Sequence, residues 1–452
     1  MSVALIILAA GKGTRMQSDL PKVLHKIAGA PMLVHAMKSG ATLDPARTIV
    51  VAGHGADLVT AAAQDWDKDA EIVLQTEQLG TGHAVAQAAP ALDGFEGDAI
   101  VLYGDTPFIR PETLEAMIAA RADHDVVVLG FEVADTSQKK YGRLVEADGA
   151  LTEIVEFKDA SDDIRALPLC NSGVIACDAQ LLMSLVAEIG NDNASGEYYL
   201  TDVVALARAR GKTATVVRCD EAETMGVNSK AELNAADAIF QTTTRAAMVE
   251  AGVTVQMPDS VYFSHDTYVG PDAVIEPHVV FGLGVTVENG AQIRAFSHLE
   301  GCHVSRDAVV GPYARLRPGT ELAEGVKIGN FVETKNAVIE AGAKVNHLSY
   351  IGDAQVGERT NIGAGTITCN YDGVFKHRTT VGRDVFIGSN TMLVAPVTLG
   401  DESMTATGTV VTRDVPEGDM AVARARQDNK PGFARRMFEK LKAKKAKAAK
   451  EA

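Results

Sequence analysis

Near its start the chain runs Gly11-Lys12-Gly13-Thr14-Arg15-Met16 and, after a short gap, Leu20-Pro21-Lys22. An apolar stretch, Val3 to Ala10, leads straight into it. A buried strand that opens into a glycine-rich turn offers backbone N–H groups to solvent. Such a turn can wrap phosphate oxygens with no side chain in the way. Arg15 and Lys22 add cations to the same cradle. The spacing reads as a nucleotide-phosphate site. It is not the dinucleotide fingerprint, because Met16 stands where a third glycine belongs.

Further chemistry-bearing stretches follow. Asp105 comes after the apolar Ala99–Leu102 and Tyr103-Gly104, a position suited to holding Mg²⁺ opposite a phosphate loop. Gln75-Thr76-Glu77-Gln78-Leu79-Gly80-Thr81-Gly82 offers amide and backbone groups of the kind that read a flat base edge. In the second half, Arg317 and Lys335 interrupt an apolar rhythm with cations. Asn346-His347-Leu348-Ser349-Tyr350 and Asn361-Ile362-Gly363-Ala364-Gly365 come next, then Cys369 to Arg378. Val381 comes thirteen positions after Thr368 where two hexads would need twelve, so Cys369–Arg378 is expected to leave the scaffold as a loop.

The elements that must position these groups differ in the two halves. Up to about Asn228, strands are expected at Thr48–Ala52, Glu71–Leu74, Ala99–Leu102, Val126–Phe131, Leu151–Glu156, Gly173–Ala176 and Thr213–Val217. Helices are expected near Pro31–Ala41, Ala56–Gln64, Gly82–Ala89, Pro111–Arg121 and Tyr199–Ala207. This alternation predicts a sheet covered on both faces, with ligands beyond the carboxyl ends of its strands. Residues 229–251 read as one helix linking two domains. From Val269 a large apolar residue recurs every six positions: Val269, Ile275, Phe281, Val287, Ile293, Leu299. After a one-residue slip the series continues through Val304, Val310, Leu316, Leu322 and Ile328, and it resumes as far as Leu399. That period is the hexapeptide signature of a parallel β-helix, three flat faces to a coil.

Composition narrows the classes. The formal net charge is −16, while Lys430 to Ala452 hold nine Lys or Arg against two acids. An acidic body argues against a nucleic-acid groove, and the tail reads as a solvated, frayed helix. Five cysteines in no paired spacing fit a reducing cytoplasm without disulfides or a zinc site. The apolar start reads as a core strand, and no run approaches the ~20 apolar residues of a membrane span.

Taken together, L-A-A-G-K-G-T-R-M…P-K, Q-x-E-Q-L-G-T-G-H, Y-G-D, Y-G-R, I-V-E-F-K-D, N-S-G and G-V-N occur in this order. The series resembles the sugar-phosphate nucleotidyltransferases, and most closely the bifunctional enzymes that make UDP-N-acetylglucosamine. The resemblance covers all but the basic tail. It implies a Rossmann-like α/β nucleotidyltransferase domain (1–228), a helical linker (229–251), a left-handed parallel β-helix of hexapeptide repeats (252–429) and a tail (430–452).

It also implies roles. Leu8, Ala9, Ala10, Gly11, Gln75, Gly80 and Thr81 would hold uridine, and Tyr103 and Gly104 would line the pocket. Arg15 and Lys22 would bind the triphosphate of UTP. Gly142, Glu156 and Asn171 would bind the amino-sugar, and Asp105 and Asn228 would hold Mg²⁺. In the second domain His347 would be the general base, its imidazole suited to proton transfer near neutral pH. Arg317, Lys335, Tyr350 and Asn361 would bind glucosamine-1-phosphate. Ala364, Asn370, Tyr371, Ser389, Thr407 and Arg424 would line the acetyl-CoA channel. The family generally carries Ala where Thr407 stands and a proline where Arg426 stands. A cytoplasmic homotrimer with acetyltransfer sites shared between subunits, supplying peptidoglycan and lipopolysaccharide precursors, is implied as well. Two rivals are a nucleotidyltransferase with a purely structural β-helix and a non-catalytic sugar-nucleotide sensor.

Overall fold

The computed structural model describes residues 2–136 and 140–451. They divide into two compact units, Met1–Ala247 with Phe263–His265, and Met248–Tyr262 with Asp266–Ala452. The first is an α/β unit around β1 (Val3–Ala9), whose seven residues are all buried. β1 lies parallel between β2 (Arg47–Ala52) and β4 (Asp98–Tyr103), with β3 (Glu71–Leu74) outside β2. A central strand covered on both faces needs apolar residues at every position, which explains the unbroken run Val3–Ala9. Alternate residues feed two cores: Ala4, Ile6 and Leu8 on one face, Val3, Leu5 and Ile7 on the other. Truncating a residue such as Ile6 to Ala costs about 2–5 kcal/mol.

Helices α1 (Met32–Ala41), α2 (Ala56–Trp66), α3 (Thr81–Ala86) and α4 (Pro111–Ala120) alternate with these strands. β5 (Val126–Glu132) is followed by a hairpin of β6 (Arg143–Ala147) and β7 (Ala150–Val155). β8 (Leu169–Asp178) then runs antiparallel between β4 and β5. Helices α5 (Ala179–Val186) and α6 (Asp202–Ala209) precede the edge strand β9 (Ala214–Cys219). The main sheet order is β9-β5-β8-β4-β1-β2-β3. Strand β6 and helix α5 are absent from the sequence reading. β6 is half exposed and lacks a continuous apolar run, and α5 follows β8 with no turn signal except Asp178, whose side chain caps it.

Helix α7 (Lys230–Glu250) falls where a linking helix is expected. Through Ala247 it belongs to the first unit, packing Ala236 with Ile27, Met32 and Val227. Buried Gln241 accepts from Phe263 N at 2.9 Å and donates to Phe263 O at 2.8 Å, as a neighbouring strand would.

The second unit is a coil of short parallel strands in three faces. The first face is a ten-stranded sheet from Thr254–Val255 to Met420–Ala421. Glu333–Ile339 and Tyr350–Val356 each turn a corner, so the other two faces share one 14-stranded sheet. Pairings such as Gln292↔Val309 and Val309↔Lys327 give coils of 17 or 18 residues; the one-residue slip is a 17-residue coil. The hexad residues from Val269 to Leu399 point inward and are buried. The excursion at Cys369–Arg378 is larger than the hexad count suggests. Tyr350 pairs with Ile367 and Ala354 with Thr379, so four steps on one coil become twelve on the next. Eight residues therefore leave the coil within a single corner, because the third face resumes at Thr379 directly above Ala354.

Candidate functional sites

The first site lies beyond the carboxyl ends of β1, β3 and β4. A cavity of about 260 Å³ is lined there by Leu8–Gly11, Lys22, Gln75, Gly80, Thr81, Tyr103 and Asp105. Gln78, from the same stretch as Gln75, also lines it, as does Glu197, which sequence reasoning missed because it sits in a loop with no motif to betray it. Gln75 is buried, and its Nε2 donates to Gly80 O at 3.1 Å and meets His83 Nδ1 at 3.0 Å. A carbonyl partner fixes which end of the amide carries hydrogens, so the Gln75 carbonyl is left as an acceptor. The Gly80 turn has φ +117°, and a Cβ there would fall 2.5 Å from Tyr198 O; only glycine fits.

Lys22 is ion-paired with Asp105 and donates to Asn228 Oδ1 at 3.0 Å. Asp105 and Asn228 thus present oxygen atoms to one cationic point. Two such oxygens with room for substrate phosphates suit Mg²⁺. Asn228 is held from behind: its N–H donates to Glu232 Oε2 at 2.7 Å, and Glu232 N–H donates to Ser229 Oγ at 3.2 Å. Arg15 stands apart, exposed on a short turn and outside the cavity lining.

Next to Tyr103 lie the three residues assigned to the sugar. A Cβ on Gly142 would be 3.5 Å from Glu156 Oε1 and 3.6 Å from Asn171 Cβ, and Asn171 N–H donates to Gly142 O at 2.9 Å. Burial raises the Glu156 carboxyl pKa, partly offset by Thr201. Burial, then the nearby charges of Glu156 and Asp105, push the Tyr103 phenol well above its usual range, so Tyr103 stays a neutral donor. Arg143, fully buried beside Gly142, donates to Tyr141 O at 2.5 Å and Arg165 O at 3.2 Å and clamps that corner.

The second site is built on a corner of the β-helix. His347 ends a first-face strand and pairs in register with Asn330. His347 Nδ1 lies 2.9 Å from Asn330 Oδ1. With that carbonyl as acceptor, Nδ1 holds the proton and Nε2 presents its lone pair. Asn330 is a residue the sequence reading did not single out. In successive coils above His347 stand Ala364, Ser389 and Thr407, following the registers Val345↔Ile362, Ile362↔Ile387 and the Phe386↔Met404 pair. Arg424 closes the ladder, its Cδ 3.9 Å from where a Cβ on Gly408 would lie.

On the second face Arg317, Lys335 and Gly352 share one row, with Arg317 bonded to Glu333 at 2.9 Å. Tyr350 folds flat over Gly352, where a Cβ would sit 2.3 Å from its hydroxyl. Asn361 stands apart from this group, opposite Lys344 at the start of the first face. Asn370 follows the second-face strand Ile367–Cys369, at a different corner from His347. It donates to Asp353 Oδ2 at 2.5 Å, while Tyr371 stays in the loop under Lys376. His377 lies 2.6 Å from Asp372 and pins the loop. Within one chain, Asn370 and Tyr371 are therefore not on the ladder of Ala364, Ser389, Thr407 and Arg424.

Residues 5–145 match the MobA-like NTP transferase domain family, and residues 378–413 match the hexapeptide repeat of succinyl-transferase. Three curated relatives bear the name bifunctional protein GlmU. The one from Ruegeria pomeroyi is 68% identical over 451 residues, spanning all of both chains. Its counterpart from Ruegeria sp. (strain TM1040) is 65% identical, again over 100% of each. That from Jannaschia sp. (strain CCS1) is 63% identical over 98% of this chain and 97% of its own.

The chain belongs to the bifunctional GlmU family. As a GlmU it is a transferase with two roles, uridylyl transfer and acetyl transfer. The two matched families put the first role with the α/β unit and the second with the hexapeptide coil, which is a left-handed parallel β-helix. The non-catalytic rival falls with this assignment.

Proposed function

We propose that the α/β unit transfers UMP from UTP to N-acetylglucosamine-1-phosphate and the β-helix first acetylates glucosamine-1-phosphate with acetyl-CoA. The observation that carries the first half is the convergence of Lys22, Asp105 and Asn228 at the rim of a cavity whose far wall is Gln75. Uracil stacks in that cavity, its N3–H donated to the Gln75 carbonyl. The sugar rests against Gly142, Glu156 and Asn171. A sugar-phosphate oxygen attacks the α-phosphorus in line, and the bond to the bridging oxygen breaks to release pyrophosphate. Asp105 and Asn228 would hold Mg²⁺, which when bound neutralises charge on the phosphates. Lys22 adds its own charge to the triphosphate, and Arg15, on its exposed turn, reaches the same phosphates when UTP is present.

In the second half, Nε2 of His347 takes a proton from the sugar amine as its nitrogen attacks the thioester carbonyl; the C–S bond breaks and coenzyme A leaves as the thiol, its sulfur protonated from the imidazolium. Arg317, Lys335, Tyr350 and Asn361 hold the sugar phosphate, and Ala364, Ser389, Thr407 and Arg424 line the coenzyme path. Asn370 and Tyr371 complete that path from a neighbouring copy in a homotrimer. Their separation from His347 around the coil supports this. So does an exposed edge of rings, His278, Phe296, Tyr313 and Phe331, stacked at 4.8, 4.9 and 5.4 Å. Among the described residues no helix is long and apolar enough to cross a membrane, and cysteines that are buried or half-buried and not in disulfides suit the reducing cytoplasm. Thiol release from acetyl-CoA that requires glucosamine-1-phosphate tests the second activity. Its absence, with pyrophosphate release retained, would reduce the β-helix to a scaffold.

A further inference from the structure

Phe433–Glu451 forms a continuous helix, α8, and residues 422–449 are exposed throughout. At 100° per residue, Phe433, Met437, Leu441 and Phe438 share one side of its first half. Each is 41–57% exposed. Arg436 and Lys440 border that side on one flank, Arg435 and Lys442 on the other, and Lys444, Lys445 and Lys447 follow. From Phe433 to Ala449 there are seven Lys or Arg and a single acid, Glu439.

We propose that α8 docks the chain on an anionic lipid surface, lying in the plane of the interface. Phe433, Met437, Phe438 and Leu441 enter the acyl boundary while the flanking cations meet headgroup phosphates. The charge alone would suit any polyanion. The apolar side decides, because an RNA backbone gives four large apolar side chains nothing to enter, whereas a bilayer satisfies stripe and flank together. The helix is too polar to span, so the mode is peripheral. This inference is independent of both active sites.

The test is co-sedimentation of the full-length protein with vesicles of phosphatidylcholine alone or mixed with phosphatidylglycerol, at low and high salt. Binding is expected on the anionic vesicles and is expected to fall at high salt. Replacing Lys442, Lys444 and Lys445 by Gln should weaken it by about a hundredfold, at roughly 1 kcal/mol for each cation. The Phe438→Ser, Leu441→Ser pair should weaken it as well, with charge unchanged. Both variants should keep thiol and pyrophosphate release, which shows that they fold. Absent binding, equal binding to neutral vesicles, or full binding by the Ser variant would overturn the proposal. So would an RNA homopolymer held equally by parent and Ser variant with no vesicle binding, which would make α8 a nucleic-acid arm.

Discussion

Lys22 and Asp105 form an ion pair at the mouth of the cavity beyond β1, β3 and β4, and Asn228 shares the same ammonium at 3.0 Å. Three segments far apart in sequence are thereby tied at one point: the turn after β1, the end of β4 and the residue two places before α7. Replacing Asp105 by Asn keeps the shape but removes the charge. Pyrophosphate release should fall about 10²–10³-fold, with thiol release unchanged. Loss of both activities from a still-folded protein would refute the division of labour between the two units.

Gln75 offers a second test. Its Nε2 serves both Gly80 O and His83. Gln75→Glu sets a carboxylate against that carbonyl and should cost about 1–3 kcal/mol of stability in the first unit. The KM for UTP should rise. A urea melt with initial rates over a UTP series reads both, and an unchanged KM would take Gln75 out of base recognition.

In the acetyltransferase half, His347→Ala should abolish thiol release and spare pyrophosphate release. Asn330→Ala should be milder, lowering kcat about 10–100-fold with little change in KM, since Asn330 acts through the imidazole. Equal loss in both variants would point to a structural role for Asn330.

Gly352→Ala probes the sugar-phosphate end. The added Cβ falls 2.3 Å from the Tyr350 hydroxyl, so the ring must leave its place. The expected effect is a raised KM for glucosamine-1-phosphate with the acetyl-CoA KM unchanged. An unaltered sugar-phosphate KM would show that Tyr350 does not touch that substrate.

His35 gives a pH dependence. Burial first, then the nearby His265 and Lys38, hold its pKa down to about 4 against the opposing effects of its bond to Ile27 O and of Asp237. In the unfolded chain it titrates near 6.5. Between about pH 6.5 and 4 the unfolded state takes up a proton that the folded state refuses. The stabilisation is therefore fully present above pH 6.5 and is lost as pH falls toward 4, by about 3 kcal/mol. Urea midpoints should drop across that window, and His35→Gln, which does not titrate, should flatten the drop.

Much of this was legible in the sequence because it is local. The run Val3–Ala9 and the glycine turn announce a central strand and the turn that borders the cavity, and the six-residue period lists the interior of the β-helix residue by residue. A coil whose corners repeat leaves little for tertiary context to decide. The ordered motifs likewise singled out Gln75, Asp105 and Asn171, and the Asn346–Tyr350 stretch singled out His347. What only the folded chain decided concerns partners distant in sequence. Asn330 becomes the orienting group for His347 because parallel coils place residues 17 apart side by side. The ammonium of Lys22 settles between Asp105 and Asn228 because β1, β4 and α7 converge. Glu197 enters the cavity from a loop without periodicity, and Asn370 is carried to another corner by an eight-residue excursion that counting hexads did not resolve. Spacing along a chain fixes which side chains share a face; which faces then meet is set by packing and register, and those are settled only when the whole unit folds.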